Sequence, residues 1–271
     1  MDEGEQYVLG YSEAEQRRLQ LQAAQLAHES SWLFDQLEPL EGACVLEIGC
    51  GPHGCLDELS QRVGTRGSVV GVERSPEAVA MARQMVATQG LANVEVLERD
   101  ARSTGLPPSS FDLVTSRLVL VNIPRPEQVI SETVALAKPD GWVAFHEADW
   151  VCHLCDPPHA AWTTLVDLFV TYSERNGIDP FIGRKVPRLL RAAGIADVAI
   201  NPLVHMFPPG QGGRGVLLDF VENLSDRLVD SGLVSDMELR ELKAALAEHL
   251  ALDDTVVVSP LRVQVWGRVS H

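Results

Sequence analysis

The sequence has no run of lysine or arginine, and positive charge is scarce throughout. Its 22 Lys and Arg residues face 38 Asp and Glu residues, which gives a formal net charge of −16. Such a chain repels the phosphate backbone of nucleic acids unless it forms a basic groove. No DNA or RNA partner is therefore expected, and the acidity, which is spread along the chain, mainly favours solubility.

Long hydrophobic runs are also absent. No apolar stretch approaches the roughly 18 residues that a membrane helix needs, so no membrane association is expected. The first six residues are mostly acidic or polar and contain no apolar signal segment. The apolar content of 45% is typical of globular chains. The sequence thus predicts a cytoplasmic protein with one large domain, or one domain plus a lid.

The chain has only five cysteines, an odd number, at positions 44, 50, 55, 152 and 155. An odd number without a secretory signal is typical of the reducing cytoplasm. Cys152 and Cys155 could supply half of a zinc site, but the other half would be Cys50 and Cys55, inside a turn whose backbone is already constrained. Isolated thiols, with no metal, are the favoured interpretation.

Strand and helix signals alternate from residue 43 to residue 147. The predicted strands are residues 43–49, 68–73, 94–97, 111–116 and 142–147, with helices at 54–63, from Ser75 onward, and at 126–138. Ser75 and Pro76 give the second helix a capping residue and a proline at its first position. A turn at Pro139–Gly141 introduces the fifth strand. This alternation predicts a mainly parallel sheet with helices on both faces.

The flanking regions add further elements. Helices are predicted at residues 12–38, 160–176, 185–194, 215–231 and 235–251, and strands at 199–207 and 255–268. We predict an α/β fold: a Rossmann-like, doubly wound, seven-stranded sheet, mostly parallel with an antiparallel last strand, plus an N-terminal helix and helical lid insertions. The expected divisions are a helical cap (1–40), a cofactor-binding core (41–150), and acceptor-pocket helices with C-terminal strands that complete the same sheet (151–271).

The most informative stretch is Val45–Gly54, which reads VLEIGCGPHG. It is typical of an apolar strand that runs into a glycine-rich turn, where a ligand can lie against bare backbone. Glu73 closes the next apolar run, 22 residues after Gly51. An acidic residue at about this distance, at the tip of the second strand, is placed to hydrogen-bond a ribose. The segment therefore predicts a nucleoside cofactor.

The glycine spacing alone leaves two cofactor classes open. The pattern G-x-G-x-x-G at Gly49–Gly54 also occurs in nicotinamide-dependent dehydrogenases, which stay as an alternative. Glu47, however, is unfavourable beside a pyrophosphate, Pro52 tightens the turn for a small ligand, and Asp100 adds a third carboxylate. Three carboxylates suit a cofactor with a ribose, an amine and a positive charge but no phosphate. S-adenosylmethionine has these properties.

The chain resembles the class I S-adenosylmethionine-dependent methyltransferases. The matching blocks are Val45–Gly54, Val70–Glu73, Arg99–Ala101, Phe111–Val114 and Leu136–Trp142, in the order and spacing of the family. They cover roughly residues 40 to 150. Within the family, the chain looks like the small-molecule branch related to ubiquinone and menaquinone biosynthesis, particularly the actinomycete natural-product enzymes.

The resemblance implies a cofactor role for each matching residue. Glu47 and the glycine turn would hold the methionine part, Glu73 would bind both ribose hydroxyls, and Asp100 would accept from the adenine amine. The backbone of Ala101 would lie close to the adenine ring, and Arg117 near the methyl group. The implied cofactor-binding residues are Glu47, Gly49, Cys50, Gly51, Glu73, Arg74, Asp100, Ala101 and Arg117.

The catalytic candidates follow the fifth strand. His146 and Glu147 alternate in direction, and either could act as a base or orient an acceptor. The alternative is a strand-end polar side chain held by neighbouring backbone. Relatives often have His where this chain has Asn122, which weakens any claim of a histidine base there. The candidates for a substrate pocket or lid are Tyr7, Tyr11, Gln22, Trp150, Tyr172 and His205.

The sequence and the resemblance together predict methyl transfer from S-adenosylmethionine to a small, largely apolar or planar acceptor, in secondary metabolism. Methylation coupled to cyclisation or rearrangement of a prenyl or polyketide substrate is one alternative, and a nicotinamide-dependent dehydrogenase is another. The expected partner is the small-molecule acceptor. The acceptor atom and any homo-oligomeric state stay open.

Overall fold

The computed structural model describes residues 13–270, with side chains from residue 19 onward, and is built around a seven-stranded sheet. Its strands are β1 (Cys44–Ile48), β2 (Ser68–Glu73), β3 (Val94–Glu98), β4 (Phe111–Arg117), β5 (Ala137–Asp149), β7 (Ala199–Leu203) and β10 (Leu261–Arg268). Their order is β3-β2-β1-β4-β5-β10-β7, and β10 runs antiparallel to both of its neighbours. The predicted Rossmann-like sheet with an antiparallel last strand is confirmed. The lid candidates Tyr7 and Tyr11 lie outside the described residues.

The described residues form eight α-helices. They are α1 (Glu13–Asp35), α2 (Leu56–Val63), α3 (Pro76–Gln89), α4 (Pro126–Leu136), α5 (Ala160–Arg175), α6 (Val186–Ala192), α7 (Val216–Asp230) and α8 (Asp236–Leu250). Helix α3 begins where the sequence predicts, because the Ser75 side chain accepts from the Ala78 N–H and Pro76 occupies the first turn. No helix of the described residues is both long and apolar enough to cross a bilayer.

Both faces of the parallel strands are buried, as is usual when helices cover both sides of a sheet. Phe34 of α1, Leu59 of α2 and Val79 of α3 pack on one face. On the other face, Val129 and Ile130 of α4 pack with Val114 and Val143 of the sheet, whereas α5, α7 and α8 pack on one another through side chains that include Leu165, Leu224 and Leu246. The C-terminal half of α1 is therefore part of the core.

The turn predicted at Pro139–Gly141 lies inside β5 and does not precede it. Phe111 pairs with Ala137, but Leu113 already pairs with Trp142, so β5 carries extra residues as an irregularity in the ladder. Asp140 has a φ of +61°, in the left-handed region that a tight turn requires. The local turn signal was correct, but pairing with β4 continues on both sides of it.

The two strands predicted at 199–207 and 255–268 each divide between two sheets. The last part of the first forms β8 (Met206–Phe207) and the first part of the second forms β9 (Val256–Val258). Together with β6 (Leu154–Asp156), a strand that was not predicted, they form a three-stranded sheet in the order β6-β9-β8. The division falls at His205 and at Ser259, which bond to each other: Ser259 N donates to His205 O, and His205 N to Ser259 Oγ. Pro260 has no N–H, so the ladder cannot continue there without a break.

Arg214 ties two strands of this smaller sheet to the end of helix α8. Its guanidinium is nearly buried and donates to Phe207 O, Thr255 O and Leu250 O at 3.1, 2.7 and 2.6 Å. It thereby joins β8, the end of α8 and the entry to β9. No sequence motif indicates this role, since its partners are backbone carbonyls distant in the chain.

Replacing Arg214 by Leu should reduce the free energy of unfolding by about 3 kcal/mol or more, because buried carbonyls lose their charged donor. Urea denaturation measures the difference. Arg240→Leu is the control, since Arg240 pairs with Asp236 on the exposed face of α8 and should cost less than about 1 kcal/mol. Equal losses in the two variants would contradict a structural role for Arg214.

Candidate active site

A cavity of about 940 Å³ lies at the carboxyl ends of the parallel strands. This is the edge at which open α/β sheets bind their ligands. Among the residues that line it are Glu47, Gly49, Cys50, Gly51, Glu73, Arg74, Asp100, Ala101, Arg117, Gln22, Trp150 and Tyr172. The structure therefore brings all nine expected cofactor residues together with three of the substrate or lid candidates. His146, Glu147 and His205 do not line the cavity.

The glycine turn forms the floor of the cavity with its backbone. Gly49 and Gly51 have φ values of +66° and +55°, which side-chain-bearing residues rarely adopt. A Cβ on Gly49 would lie 2.3 Å from Cγ2 of Val119, so this glycine also allows close packing against the segment after β4. A Cβ on Gly51 would meet nothing within 4 Å. The turn thus presents open backbone to the cavity at Gly51.

Glu47 holds the turn in place from below. Both of its carboxylate oxygens accept from Cys55 N at 2.9 Å, and Cys55 is the residue immediately before α2. Burial raises the pKa of Glu47 to about 7, although Arg117 and the Cys55 N–H lower it. A Cβ on Gly54 would lie only 2.7 and 2.8 Å from the two oxygens, so the turn closes tightly on this carboxylate.

Glu73 connects the tip of β2 to the turn. Its Oε2 accepts from Gly51 N at 3.2 Å, and its Oε1 accepts from Arg74 N and Ser75 N at 2.8 and 2.9 Å. An ionised carboxylate has about four lone-pair positions, so acceptor capacity is left for ligand hydroxyls. The backbone contacts fix the side chain where the sequence places a ribose acceptor.

Asp100 forms an ion pair that the sequence analysis missed. Arg102 reaches it with Nε and Nη2, at 3.0 Å to Oδ1 and 2.7 Å to Oδ2, and these hydrogen bonds hold the pKa of Asp100 below its usual range. Arg102 also lines the cavity. The expected adenine acceptor is therefore a two-residue unit in which Arg102 fixes the carboxylate.

Arg117 bridges the turn and helix α1. Its Nη1 donates to Ser30 Oγ at 2.9 Å, and its Nη2 donates to His53 O at 3.0 Å. Ser30 is a buried residue of α1. Arg117 thus lies beside the cavity as expected and also ties α1 to the glycine turn.

Glu147 is fully buried and caps the segment after β4. Its oxygens accept from the N–H groups of Val119, Leu120 and Val121 at 3.0 to 3.2 Å. Burial raises the pKa of Glu147 to about 8, against the effect of these three donors. This is the contact with neighbouring backbone that was the alternative to a catalytic role.

His146 points to the other face and contacts helix α1. Its Nε2 lies 3.0 Å from Oε2 of Glu29, which is itself nearly buried. Burial lowers the pKa of His146, although the Glu29 carboxylate raises it. Neither His146 nor Glu147 reaches the cavity in this structure, and their catalytic assignment stays a prediction.

Glu29 is the centre of a polar cluster that the sequence did not indicate. Its Oε1 lies 2.8 Å from Nε2 of His205 and 2.7 Å from Nη1 of Arg262, and its backbone oxygen accepts from Gln264 Nε2 at 2.6 Å. Burial alone would raise the pKa of Glu29, but His146, Arg262 and His205 outweigh it and lower the pKa to about 2. The carboxylate is therefore ionised at neutral pH.

The far end of the cavity is aromatic. The rings of Trp150 and Phe169 stack with centroids 4.0 Å apart, and Phe220 lies 5.5 Å from Trp150 in an edge-to-face arrangement. Tyr172 completes this wall. Such rings present broad apolar surfaces at little cost in conformational entropy.

Helix α1 and the segment 207–216 cover the cavity from outside. Gln22, Gln25 and Leu26 line it from α1, and Phe207 and Gly213 from the other side. All five cysteines are free thiols, and within residues 13–270 no group of three or more His, Cys, Asp or Glu side chains is arranged to hold a metal ion.

The fold and the cavity define a class, namely Rossmann-like proteins with a nucleoside-type site at the strand ends. A model of the methyltransferase-domain family matches residues 40–192, which is more than half of the chain. The chain belongs to this family, the class I S-adenosylmethionine-dependent methyltransferases.

Three relatives illustrate the similarity. The chain is 30% identical to an uncharacterized 37.1 kDa protein in transposon TN4556 of Streptomyces fradiae, over 74% of this chain and 57% of that one. It is 33% identical to aklanonic acid methyltransferase DauC of Streptomyces sp. strain C5, over 42% of this chain and 51% of that one. The fold is similar to that of the YcgJ protein of Bacillus subtilis, with 15% sequence identity and a TM-score of 0.60. The similarity covers 90% of this chain and 99% of that one. The chain spans about half the length of the curated relatives.

Replacing Gly54 by Ala should displace the glycine turn, because the new Cβ would meet Cys50 O at 2.5 Å as well as the Glu47 carboxylate. We expect the affinity for S-adenosylhomocysteine to fall on the order of tenfold or more, as measured by calorimetric titration. Gly215→Ala is the control, since a Cβ there meets nothing within 4 Å and φ is −85°. Unchanged affinity in the Gly54 variant would show that the turn can accommodate the side chain.

The depressed pKa of Glu29 predicts a pH-dependent contribution to stability. The stabilisation from its ionised form is complete above pH 4.5 and is lost as the pH falls towards 2. The difference in unfolding free energy between the wild type and Glu29→Gln should therefore narrow by about 3 kcal/mol across this window. Urea denaturation at fixed pH values measures it.

Glu222→Gln serves as the control for this pH series. Glu222 is exposed and pairs with Lys243 on the surface, so its variant should differ little from the wild type at any pH. A difference for Glu29→Gln that stays constant down to pH 2 would contradict the depressed pKa.

Proposed function

We propose that this protein transfers a methyl group from S-adenosylmethionine to a small, largely apolar or planar acceptor in secondary metabolism. The observation that carries the proposal is the continuity of the cavity. One space joins the glycine turn, Glu73 and Asp100 to the aromatic wall of Trp150 and Phe169. Its volume of about 940 Å³ is at the upper end of ordinary ligand pockets, as expected for a site that takes a cofactor and an acceptor together.

The residues at the strand ends fit the cofactor. Open backbone at Gly51 allows close approach of a ligand, and the Glu73 carboxylate is fixed at the tip of β2 with acceptor capacity left for ribose hydroxyls. Asp100, held by Arg102, supplies an acceptor further along the rim. This set requires no phosphate on the ligand.

The aromatic end fits a planar acceptor. Trp150, Phe169, Tyr172 and Phe220 offer apolar surface, and the similarity to an aklanonic acid methyltransferase supports an acceptor of that general size and character. The same wall would bind a sugar or a polyanion poorly, because buried hydroxyls or charges would lack partners there.

The chain's contribution to the reaction is mainly to position the reactants. S-adenosylmethionine, when bound, supplies an activated methyl group on a sulfonium for an in-line displacement. The aromatic wall would orient the acceptor, and α1 with the segment 207–216 would exclude water. Alignment of this kind can supply roughly 7–11 kcal/mol. A base is needed only if the acceptor atom loses a proton. Neither His146 nor Glu147 lines the cavity, so neither is placed to act as that base.

Calorimetric titration with S-adenosylmethionine, S-adenosylhomocysteine and NAD tests the cofactor assignment. We expect binding of the first two and none of NAD, and Glu73→Gln should weaken binding by tenfold or more, because the amide loses one of two acceptor oxygens. Glu98→Gln is a matched control, since Glu98 lies opposite Glu73 on β3 but does not line the cavity. Binding of NAD alone would overturn the proposal.

The products separate simple methylation from methylation coupled to cyclisation or rearrangement. A panel of planar hydroxylated aromatic compounds is incubated with labelled S-adenosylmethionine, and the products are analysed by mass and by fragmentation. Simple transfer adds one methyl group and leaves the carbon skeleton unchanged. A rearranged skeleton would favour the coupled reaction, and no gain of a methyl group with any acceptor would count against transfer.

A further inference from the structure

The aromatic wall of the cavity has a polar edge, which is formed by Tyr172 near the end of helix α5, Asn176 directly after α5, and Asn122 in the segment after β4. We propose that the polar edge selects acceptors whose planar skeleton carries hydroxyl groups, which it binds as hydrogen-bond donors. The inference rests on the proposed function, because it names the class of acceptor that shares the cavity with S-adenosylmethionine.

One face of α5 changes from apolar to polar towards its C-terminal end. Phe169, Tyr172 and Asn176 follow one another at intervals of three and four residues, a spacing that places side chains on the same helix face, and all three line the cavity. Phe169 stacks on Trp150, whereas Tyr172 adds a hydroxyl and Asn176 an amide. A planar ligand along this face would lay its apolar part on Phe169 and bring its rim to the polar groups.

The segment after β4 brings Asn122 to the same place. The three N–H groups directly before Asn122 donate to the buried carboxylate of Glu147, which fixes the backbone there. A Cβ on Gly177 would lie 3.5 Å from Cβ of Pro124. The chain just after Asn176 is therefore in contact with the chain just after Asn122, and the two amides stand on converging segments.

Both amides leave their oxygen for a ligand. Nδ2 of Asn122 donates to Leu118 O at 2.7 Å, and Nδ2 of Asn176 donates to Tyr172 O at 2.8 Å. Only the NH₂ end of an amide can donate to a carbonyl, so these bonds fix the orientation of both groups. Neither amide oxygen accepts a hydrogen bond from the described residues. Each of them requires a donor from the ligand.

The Tyr172 hydroxyl is the third group that remains for a ligand. Tyr172 is 8% exposed, and within the described residues its hydroxyl makes no hydrogen bond although it is accessible from the cavity. Asp219 and Arg227 of α7 also line the cavity, but they already interact within the protein. The polar edge thus offers two acceptors and one hydroxyl, which is both donor and acceptor.

This set matches a ligand that supplies donors at one rim. Hydroxyl groups on a planar ring satisfy the amide oxygens and can exchange a hydrogen bond with Tyr172. A carboxylate would face two amide oxygens that it cannot bond to. A sugar would also fit poorly, because its hydroxyls on the opposite side would lie against Trp150 and Phe169 without partners.

Calorimetric titration of the full chain, saturated with S-adenosylhomocysteine, tests the proposal. The probes are naphthalenes that bear no substituent, two hydroxyl groups or one carboxylate. We expect the dihydroxylated probe to bind about tenfold more tightly than either of the others. Tyr172→Phe should weaken binding of the dihydroxylated probe about three- to tenfold and leave that of the unsubstituted probe unchanged, because one hydrogen bond is lost.

Asn176→Ala should have the same selective effect as Tyr172→Phe. Tyr172 O keeps a partner in this variant, since the backbone N–H of residue 176 also donates to it at 3.2 Å. Thr171→Val is the matched control: it removes a hydroxyl from the same helix, at a position that does not line the cavity, and should change no titration. Phe169→Leu should weaken all three probes alike, because it reduces the apolar wall.

A loss that is equal for the hydroxylated and unsubstituted probes in Tyr172→Phe and Asn176→Ala would overturn the proposal, and so would unchanged binding in both variants. A wild type that prefers the unsubstituted or the carboxylated probe, or that binds no probe, would also overturn it. Failure of the wild type to bind S-adenosylhomocysteine would instead count against the proposed function, and the same probe series on the cofactor-free protein would then decide the role of the polar edge.

Discussion

One buried carboxylate, that of Glu29, holds helix α1 against the seven-stranded sheet. Glu29 is ionised inside the structure, and a buried charge is tolerated only when its partners surround it. The carboxylate is contacted by Arg262 of β10, His205 before β8 and His146 of β5, and Gln264 of β10 donates to the backbone oxygen of Glu29. These contacts hold helix α1 against β5 and β10, and in this position Gln22, Gln25 and Leu26 of α1 line the cavity.

The sheet could be predicted from the sequence because each strand and helix carries its own periodicity and boundary signal. Ser75 and Pro76 mark the start of α3, and the structure begins the helix there. The divisions at His205 and Ser259 could not be predicted, since a strand that changes sheets keeps the same alternation on both sides. Pro260 was the one local sign, and its meaning depends on the bonds between the preceding Ser259 and His205, 54 residues apart in the chain.

The cofactor half of the cavity was indicated by a compact local pattern, and its residues meet where the strand ends converge. Arg102 was missed although it is two residues from Asp100, because arginine beside an acidic residue is common on surfaces. Ser30 and Glu29 were missed because polar positions on an amphipathic helix are expected to face solvent. Their burial arises only when β4, β5 and β10 supply donors from distant parts of the chain.

Arg214 and Ser259 hold the two ends of the segment that crosses the acceptor side of the cavity, and neither depends on the residues between them. The interior, from Pro208 to Gly213, bears no strand pairing of the seven-stranded sheet. Gly213 is constrained by its φ of +98° and by the Phe207 ring, whereas residues 208–211 are not set by the pairing of that sheet. Under the proposed function, exchange of residues 208–211 would alter the acceptor side of the cavity and leave the glycine turn, Glu73 and Asp100 intact.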